Sequence, residues 1–450
     1  MATPPTRVRW LIVVLIFCMS VLMFIDRVNI SIAAKYIMPE YGLSDVQMGW
    51  IFSAFILGYA VMQIPGGRLG DRFGPRLVLA GAICWWSAFT AVTALAGELF
   101  LTGIIGVVGS FMVVRILIGI GEAGGPPNYN RVVANWIAPE ERGLAIGIAT
   151  SGSAFGAALT PPLIVWIMVT LGWHAAFYIA GGVGIFLALL WYWLGTDQPA
   201  EHPWVNAAEL HHITQTSAPA PAHRHAAVHV PWRVILSRPD LWCLTASYTV
   251  LGYIGYIYFS WFYLYLVNVR GFSLVSGGWY STLPFVISAA AAPAGGWLSD
   301  AGSRRFGKRM GRCGLGFSGP LGAAGLIWAG AAVRDPYLSV IFLSLGEGVL
   351  FLTVAAYWAA TIDLAKAHAG TVSGFMNMGG NLGGAISPTL TPLIAQRFGW
   401  DSALYVAAAL ALLGAFFWLG VHPERAMDLG EEAPALAARR EVTLGVEPNA

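Results

Sequence analysis

Four charged residues sit where hydrocarbon is expected. Asp26 and Arg27 stand side by side in MFIDRVNISIA (Met23 to Ala33), inside an apolar run that begins at Trp10, and Arg115 and Glu122 bracket RILIGIGE. Each such charge at mid-membrane depth costs about 2.5–3.5 kcal/mol even on a lenient insertion scale, so its presence points to function. A guanidinium stays charged when buried and offers a planar fork that can hold a carboxylate through two hydrogen bonds. Arg27 is therefore a candidate anchor for an organic anion; the alternative is a permanent ion pair with a neighbouring helix. Neighbours on a helix point about 100° apart, so Asp26 cannot share a face with Arg27 and needs a partner elsewhere or a proton. Arg115 and Glu122 lie two turns apart on one face, leaving room for a substrate group or water between them.

The elements that carry these residues must span a membrane. The 450-residue chain is 57% hydrophobic and only 11% charged, against roughly 25% charged in soluble proteins. About 20 apolar residues cross a bilayer. That length fits twelve segments, roughly 10–33, 46–66, 77–97, 104–126, 143–170, 174–195, 240–268, 276–298, 312–333, 337–360, 370–396 and 401–421. The short alternating pattern of a membrane β-barrel is absent, so the fold class is all-α. Arg7 and Arg9 before the first run imitate a signal peptide, but the run is too long for one and reads as an uncleaved first span. A polar stretch, 196–239, holds six of the 9 histidines (His202, His211, His212, His223, His225 and His229) and reads as an exposed linker between two six-helix halves. The domains expected are a first bundle at 1–195, this linker, a second bundle at 240–423 and a tail at 424–450. The four cysteines (Cys18, Cys84, Cys243, Cys313) form no CxxC pair and read as free thiols.

Basic residues orient the spans. With both termini and the linker in the cytoplasm, 19 of the 25 lysines and arginines fall on that side, and only Lys35, Arg270, Arg334 and Arg397 fall outside. An internal repeat supports two halves. GLAIGIATSGSAFGAALTPP aligns with GTVSGFMNMGGNLGGAISPT at an offset of 227, pairing Gly143/Gly370, Gly152/Gly379, Gly156/Gly383 and Pro161/Pro388, and further on Gly172/Gly399 and Trp173/Trp400. GGRLGDRFG (66–74) has a weaker echo in GGWLSDAGS (295–303), where Asp300 matches Asp71. Parallel six-helix repeats with small residues at helix contacts describe a two-bundle transporter. GxxxxGK[ST] is absent, which argues against an ATP-driven pump. No metal-ligand cluster or nucleophile–base set sits at one depth, which argues against an enzyme, and the net charge of +2 gives no sign of a nucleic-acid partner.

GGRLGDRFGPR (66–76) and RILIGIGEA (115–123) resemble the signature motifs of the major facilitator superfamily. Within it, IDRVNIS, SDVQMGWIFSAFILGYAVMQIPGG, RILIGIGEAGGPP, WIAPEERGLAIG and YLVNVRGFSLVSGG resemble the anion:cation symporter family. The resemblance covers nearly the whole chain outside the linker and the tail after about Pro423. It implies a multi-pass protein of the bacterial inner membrane, working as a monomer, that imports a small organic anion with protons by alternating access. The sugar acids (aldonates, aldarates, hexuronates) are the leading class, with aromatic or other carboxylates as the alternative. A proton-driven exporter and a ligand sensor without flux are the rival readings. Two cavity arginines oppose export of cationic compounds, and a linker this short leaves no room for a signalling domain.

By the same resemblance Arg27 binds the substrate carboxylate, Asp26 and Glu122 carry the coupling protons, and Arg115 partners Glu122. No cofactor or metal is implied beyond the proton itself. Tyr59 in the second span is placed at the cavity. Asn377, whose repeat counterpart is Thr150, offers a donor and an acceptor to a sugar hydroxyl, and Trp358, Ser153 and Gln63 are further lining candidates. Asp71, Arg72 and Arg76 belong to a loop that latches the halves on the inner side. Two features depart from the family pattern: Tyr263 and Leu264 stand where relatives often have Pro-Thr, and 97–109 looks like a lengthened outer loop. Glu347 is an intramembrane carboxylate without an assigned role.

Overall fold

A computed structural model describes residues 4–138, 141–215, 232–365 and 369–425, and among these every regular element is helical. The first half contains α1 (Val8–Tyr41), α2 (Asp45–Phe73), α3 (Pro75–Thr93), α4 (Thr102–Glu122), α5 (Gly125–Trp136), α6 (Arg142–Leu171) and α7 (Trp173–Leu194). The short α8 (Ala207–Gln215) and α9 (Trp232–Leu236) come next. The second half contains α10 (Pro239–Ser260), α11 (Phe262–Asn268), α12 (Leu274–Tyr280), α13 (Leu283–Phe306), α14 (Lys308–Ala332), α15 (Pro336–Phe351), α16 (Val354–Ala365), α17 (Ala369–Phe398) and α18 (Trp400–Phe417). The fourth, seventh, eighth and tenth spans are each made of two pieces (α4–α5, α10–α11, α12–α13 and α15–α16), so the rods number twelve among the described residues. Among the described residues nine are long and apolar enough to cross a membrane by composition alone, or ten when the α10–α11 pair, bent by 50°, counts as one.

The repeat is visible in backbone and packing. Gly172 (φ 87, ψ 160) turns α6 into α7, and Gly399 (φ 88, ψ 158) turns α17 into α18 in the same conformation. Such a φ strains any residue with a Cβ, which is why glycine recurs at the same place in each half. In the first half α1 packs along α6, α2 along α4 and α3 along α7; in the second, α10 packs along α17, α13 along α15 and α14 along α18. These are the same three pairings, two bundles built on one plan.

The halves touch chiefly through α2 with α17 and α6 with α13. The first and last described residues and the described parts of the linker lie on one face, the terminal side, and the cross-half hydrogen bonds lie away from it. Lys35 Nζ donates to Asn268 Oδ1 (2.5 Å), Ser53 and Thr389 share a hydroxyl contact (3.1 Å), and Thr282 Oγ1 donates to the Ala158 carbonyl (3.0 Å). Phe52 packs edge-on against Trp261, whose indole donates to the Pro388 carbonyl. Gly49 makes this contact possible: a Cβ there would lie 2.2 Å from the Pro388 oxygen. The pair is thus closed at the far side, and Tyr263 and Leu264 are buried within that closure.

Two segments differ from expectation. Residues 196–215 pack onto the first half. His202 is buried edge-on to Trp136 and bonds the Leu194 carbonyl, while the Trp136 indole donates to the Thr196 carbonyl. Buried Glu209 of α8 accepts from the Val8 and Arg9 amides, supplying the carboxylate cap that the start of α1 otherwise lacks. Arg9 also bonds Glu141 (3.0 Å), and that hydrogen bond holds the Glu141 carboxyl below its ordinary range. His211 and His212 are exposed, and His223, His225 and His229 lie outside the described residues. Within 97–109, residues from Thr102 onward are already helical, with a kink at Gly106 (φ 73).

Candidate functional site

A cavity of about 700 Å³ lies between the halves. With the far side sealed, it opens toward the terminal side, where lining residues Gly147 and Thr150 are exposed. Its first-half wall includes Arg27, Arg115, Tyr59, Gln63 and Ser153; its second-half wall includes Tyr248, Tyr256, Ser288, Asn377 and Asn381. Asp26 and Glu122 are buried and do not line it. The cavity therefore faces a solute with two guanidiniums and neutral polar groups, and keeps both carboxylates behind the arginines.

Arg27 projects from α1 and Glu122 from the end of α4. Arg27 Nε donates to Glu122 Oε2 at 2.7 Å, while among the described residues Arg27 Nη2 and Glu122 Oε1 have no hydrogen-bond partner. The sequence paired Glu122 with Arg115 in coupling; in this structure its direct ion pair is with Arg27. The seven-residue separation along one helix is too long for Arg115 to reach, whereas α1 brings Arg27 alongside. Three rings surround the Arg27 guanidinium: Tyr59 with its centroid 4.6 Å from Cζ, and Phe24 and Phe55 each at 5.1 Å. Arg115 Cζ lies 4.8 Å from the same Phe55 ring. Cation–π attraction replaces part of the hydration these cations lose, and the rings fix their positions. Since Nε alone is engaged, the outer edge of the Arg27 fork is left for a ligand.

Asp26 lies outside the cavity lining; among the described residues no hydrogen bond of good geometry reaches its oxygens, and the Trp86 indole is the donor directed at it. The charges acting on it are Glu122 and Arg115. Trp358 is not in the cavity wall; it packs edge-on against Tyr248, which is. Asn381, Tyr248, Tyr256 and Ser288 were not singled out from sequence. Asn381 could have been found one turn beyond Asn377 in FMNMGGNLGG; the two tyrosines sit eight residues apart in an aromatic-rich span and carry no distinguishing signal.

On the terminal side Arg76 donates to the Tyr192 carbonyl through Nε (3.0 Å) and Nη2 (2.7 Å), and its amide donates to Asp197. Those bonds stay within the first half. Arg72 lies over the Phe73 ring, and the Asp71 side chain is outside the described residues. The echo in the second half is a fuller network, in which Arg312 meets Asp300 (2.6 Å) and Asp363 (3.3 Å) and Lys308 meets Asp363 (2.6 Å). Glu347 is buried in α15 against α10, where a Cβ on Gly255 would lie 3.6 Å from its Oε1, and it does not reach the cavity.

Two pseudo-equivalent helical bundles around a central cavity that carries two arginines define a polytopic membrane transporter rather than an enzyme. The Major Facilitator Superfamily model matches residues 16–388 and 359–445, and the chain belongs to that superfamily. It is 34% identical to the Probable sulfoacetate transporter SauU of Cupriavidus necator over 428 residues, covering 95% of this chain and 96% of that one. It is 30% identical to the D-galactonate transporter of Escherichia coli O6:H1, covering 93% and 96%. Among solved structures, an inward-facing, unoccupied bacterial homologue of the human lysosomal transporter Spinster superposes with a TM-score of 0.76 at 18% identity, covering 99% and 100%.

Proposed function

We propose that the protein imports a small organic anion, a sugar acid in the first instance, together with protons across the bacterial inner membrane. The observation that carries this reading is the half-occupied Arg27 fork in the cavity wall, with Glu122 behind it. Glu122 and a substrate carboxylate compete for one guanidinium. While Glu122 is ionised it holds Arg27; once protonated it releases the fork to the substrate, and Asp26 takes the second proton. The loaded protein then closes around the anion and opens to the other side. The arginine and lysine distribution makes the terminal side cytoplasmic, so the open cavity corresponds to the inward-open step of the cycle. Each chain carries a complete cavity, consistent with a working monomer. The relatives named for sulfoacetate and D-galactonate are both transporters of small acids, which supports the substrate class.

Reconstituted into liposomes, the wild type is expected to accumulate its anion under an imposed inward proton gradient, and Glu122→Gln and Asp26→Asn are expected not to. Accumulation by both variants against a concentration gradient would show that protons are not coupled through these groups. Thermal stabilisation against a panel of aldonates, aldarates, hexuronates, aromatic acids and sulfoacetate identifies the anion.

A further inference from the structure

Arg115 lines the central cavity and is 3% exposed, yet among the described residues none of its nitrogens has a hydrogen-bond or ion-pair partner. What steadies it is the Phe55 ring, 4.8 Å from Cζ. A guanidinium withdrawn from water is costly unless an anion offsets the loss, so a buried fork with no acceptor needs a cause. The two carboxylates nearby act on it only through space: Glu122 is bonded to Arg27, and Asp26 has the Trp86 indole directed at it. Its placement is ordered. α4 descends from the far side, so at about 1.5 Å per residue Arg115 stands about 10 Å beyond Glu122 toward that side. The Cζ atoms of Arg27 and Arg115 lie 5.1 Å and 4.8 Å from the centroid of one ring, Phe55, so their separation is at most the sum of those distances, about 10 Å. Tyr256 of α10 is within electrostatic reach of both. Two forks therefore serve one part of the cavity, the first half engaged and the second bonded to nothing.

We propose that Arg115 is a second anion subsite, and that the solute is a short dianion holding one acid group on Arg27 and the other on Arg115. The assignment rests on the proton-coupled import proposed above and narrows its substrate class. With Asp26 and Glu122 protonated at loading, two guanidiniums face the solute and neither has a fixed anion beside it. When the site closes and sheds water, a monoanion leaves one of those cations buried and uncompensated, whereas a dianion matches both. Each acid group is held by N–H···O⁻ bonds of about 2.7–2.9 Å. The two groups must therefore reach forks no more than about 10 Å apart, which suits a short chain with an acid at each end. Aldarates and short sulfocarboxylates have that form. Arg115 then reads the number of charges on the solute, and the neutral second-half wall reads its hydroxyls.

The test compares acids of similar skeleton that differ in one terminal charge: galactarate against galactonate, and sulfoacetate against glycolate. Binding to the full-length protein at neutral pH is read by thermal stabilisation titrated against concentration, and uptake by proteoliposomes under an inward proton gradient. In the wild type the diacid of each pair is expected to bind about ten- to a hundredfold more tightly, the range of one charge-assisted contact. Arg115→Gln is expected to erase that preference, the diacid losing about tenfold or more and the monoacid far less. Arg115→Lys, which keeps the charge and loses the fork, is expected to retain part of it. Equal binding within both pairs by the wild type overturns the subsite, and that comparison needs no variant to fold. Equal losses for both acids in Arg115→Gln also overturn it, since Arg115 then acts through its general field or by supporting the carboxylates. Proton-driven uptake of galactonate with no preference for either diacid removes the subsite and leaves the proposed function standing. A wild type that neither binds nor takes up any of the four acids overturns both.

Discussion

The two halves share a plan and divide the chemistry unequally. In the first, four charges lie on α1 and α4 around the middle of the bundle, Asp26, Arg115 and Glu122 buried and Arg27 half-buried, and two of them form the ion pair beside the cavity. In the second, the cavity wall is neutral: Asn377 and Asn381 on α17, Tyr248 and Tyr256 on α10 and Ser288 on α13. A membrane-buried charge can be switched by a proton; a neutral amide or hydroxyl cannot, but it can be matched to hydroxyl positions on a solute. Under the proposed function, the division assigns affinity and energy coupling to the first half and discrimination among anions to the second. It also leaves a mark on hydropathy. All six spans of the first half pass as apolar membrane helices despite their charges, whereas α13 and α17 of the second half do not. Four charges diluted among Ile, Leu and Val hardly lower a span's average, while glycine, asparagine and serine spread along α17 lower it throughout.

The sharpest way to break this comparison is to change the charge proposed to touch the solute. Arg27→Lys keeps the positive sign and loses the planar fork. We expect substrate affinity to fall by about 2–3 kcal/mol, roughly a hundredfold, as read by thermal stabilisation and by the concentration dependence of uptake. A lysine variant with wild-type affinity would mean that Arg27 acts as a point charge or as Glu122's partner alone. The second half is expected to respond more mildly and more selectively. Asn377→Leu and Asn381→Leu each remove donors and acceptors from the wall. Each is expected to lower affinity by about 1–2 kcal/mol for a hydroxylated acid, and far less for a small acid without hydroxyls. Equal losses across the panel would place the discriminating contacts elsewhere.

Much of this division was legible in the chain. Asp26, Arg27, Arg115 and Glu122 announce themselves because a charge in an apolar run is rare, and the 227-residue repeat gives the two bundles through Gly172/Gly399 and Pro161/Pro388. Who pairs with whom was not legible. Helical periodicity relates Arg115 to Glu122 on one rod, but only packing of α1 against its neighbours brings Arg27 to Glu122. The neutral wall was legible in part: Asn377 stands out as the polar counterpart of Thr150, whereas Tyr248 and Tyr256 look like any other aromatic residue in a membrane helix. Trp358 shows the converse, a tryptophan that supports a lining residue from behind. The docking of 196–215 was hidden for a different reason. A polar, histidine-bearing stretch carries no hydrophobic periodicity, and what holds it is a few specific bonds from His202 and Glu209 to groups far away in sequence.

Glu347 gives the comparison its finest test, because it is the second half's own buried carboxylate. Unlike Glu122 it has, among the described residues, no cation beside it and no hydrogen-bond partner for its Oε2, and it packs between α15 and α10 rather than behind the cavity wall. A carboxylate that neither pairs with an arginine nor approaches the solute has no means of linking a proton to substrate binding. Glu347→Gln preserves its volume and is expected to alter stability by less than about 1.5 kcal/mol, the range of volume-conserving core exchanges. Gradient-driven uptake is expected to remain near the wild-type rate, in contrast to the loss in Glu122→Gln. The paired measurement makes one chemical change, carboxyl to amide, at two buried sites of equal accessibility in opposite halves. Should Glu347→Gln abolish gradient-driven accumulation while counterflow persists, coupling would extend into the second half and the division of labour would fail.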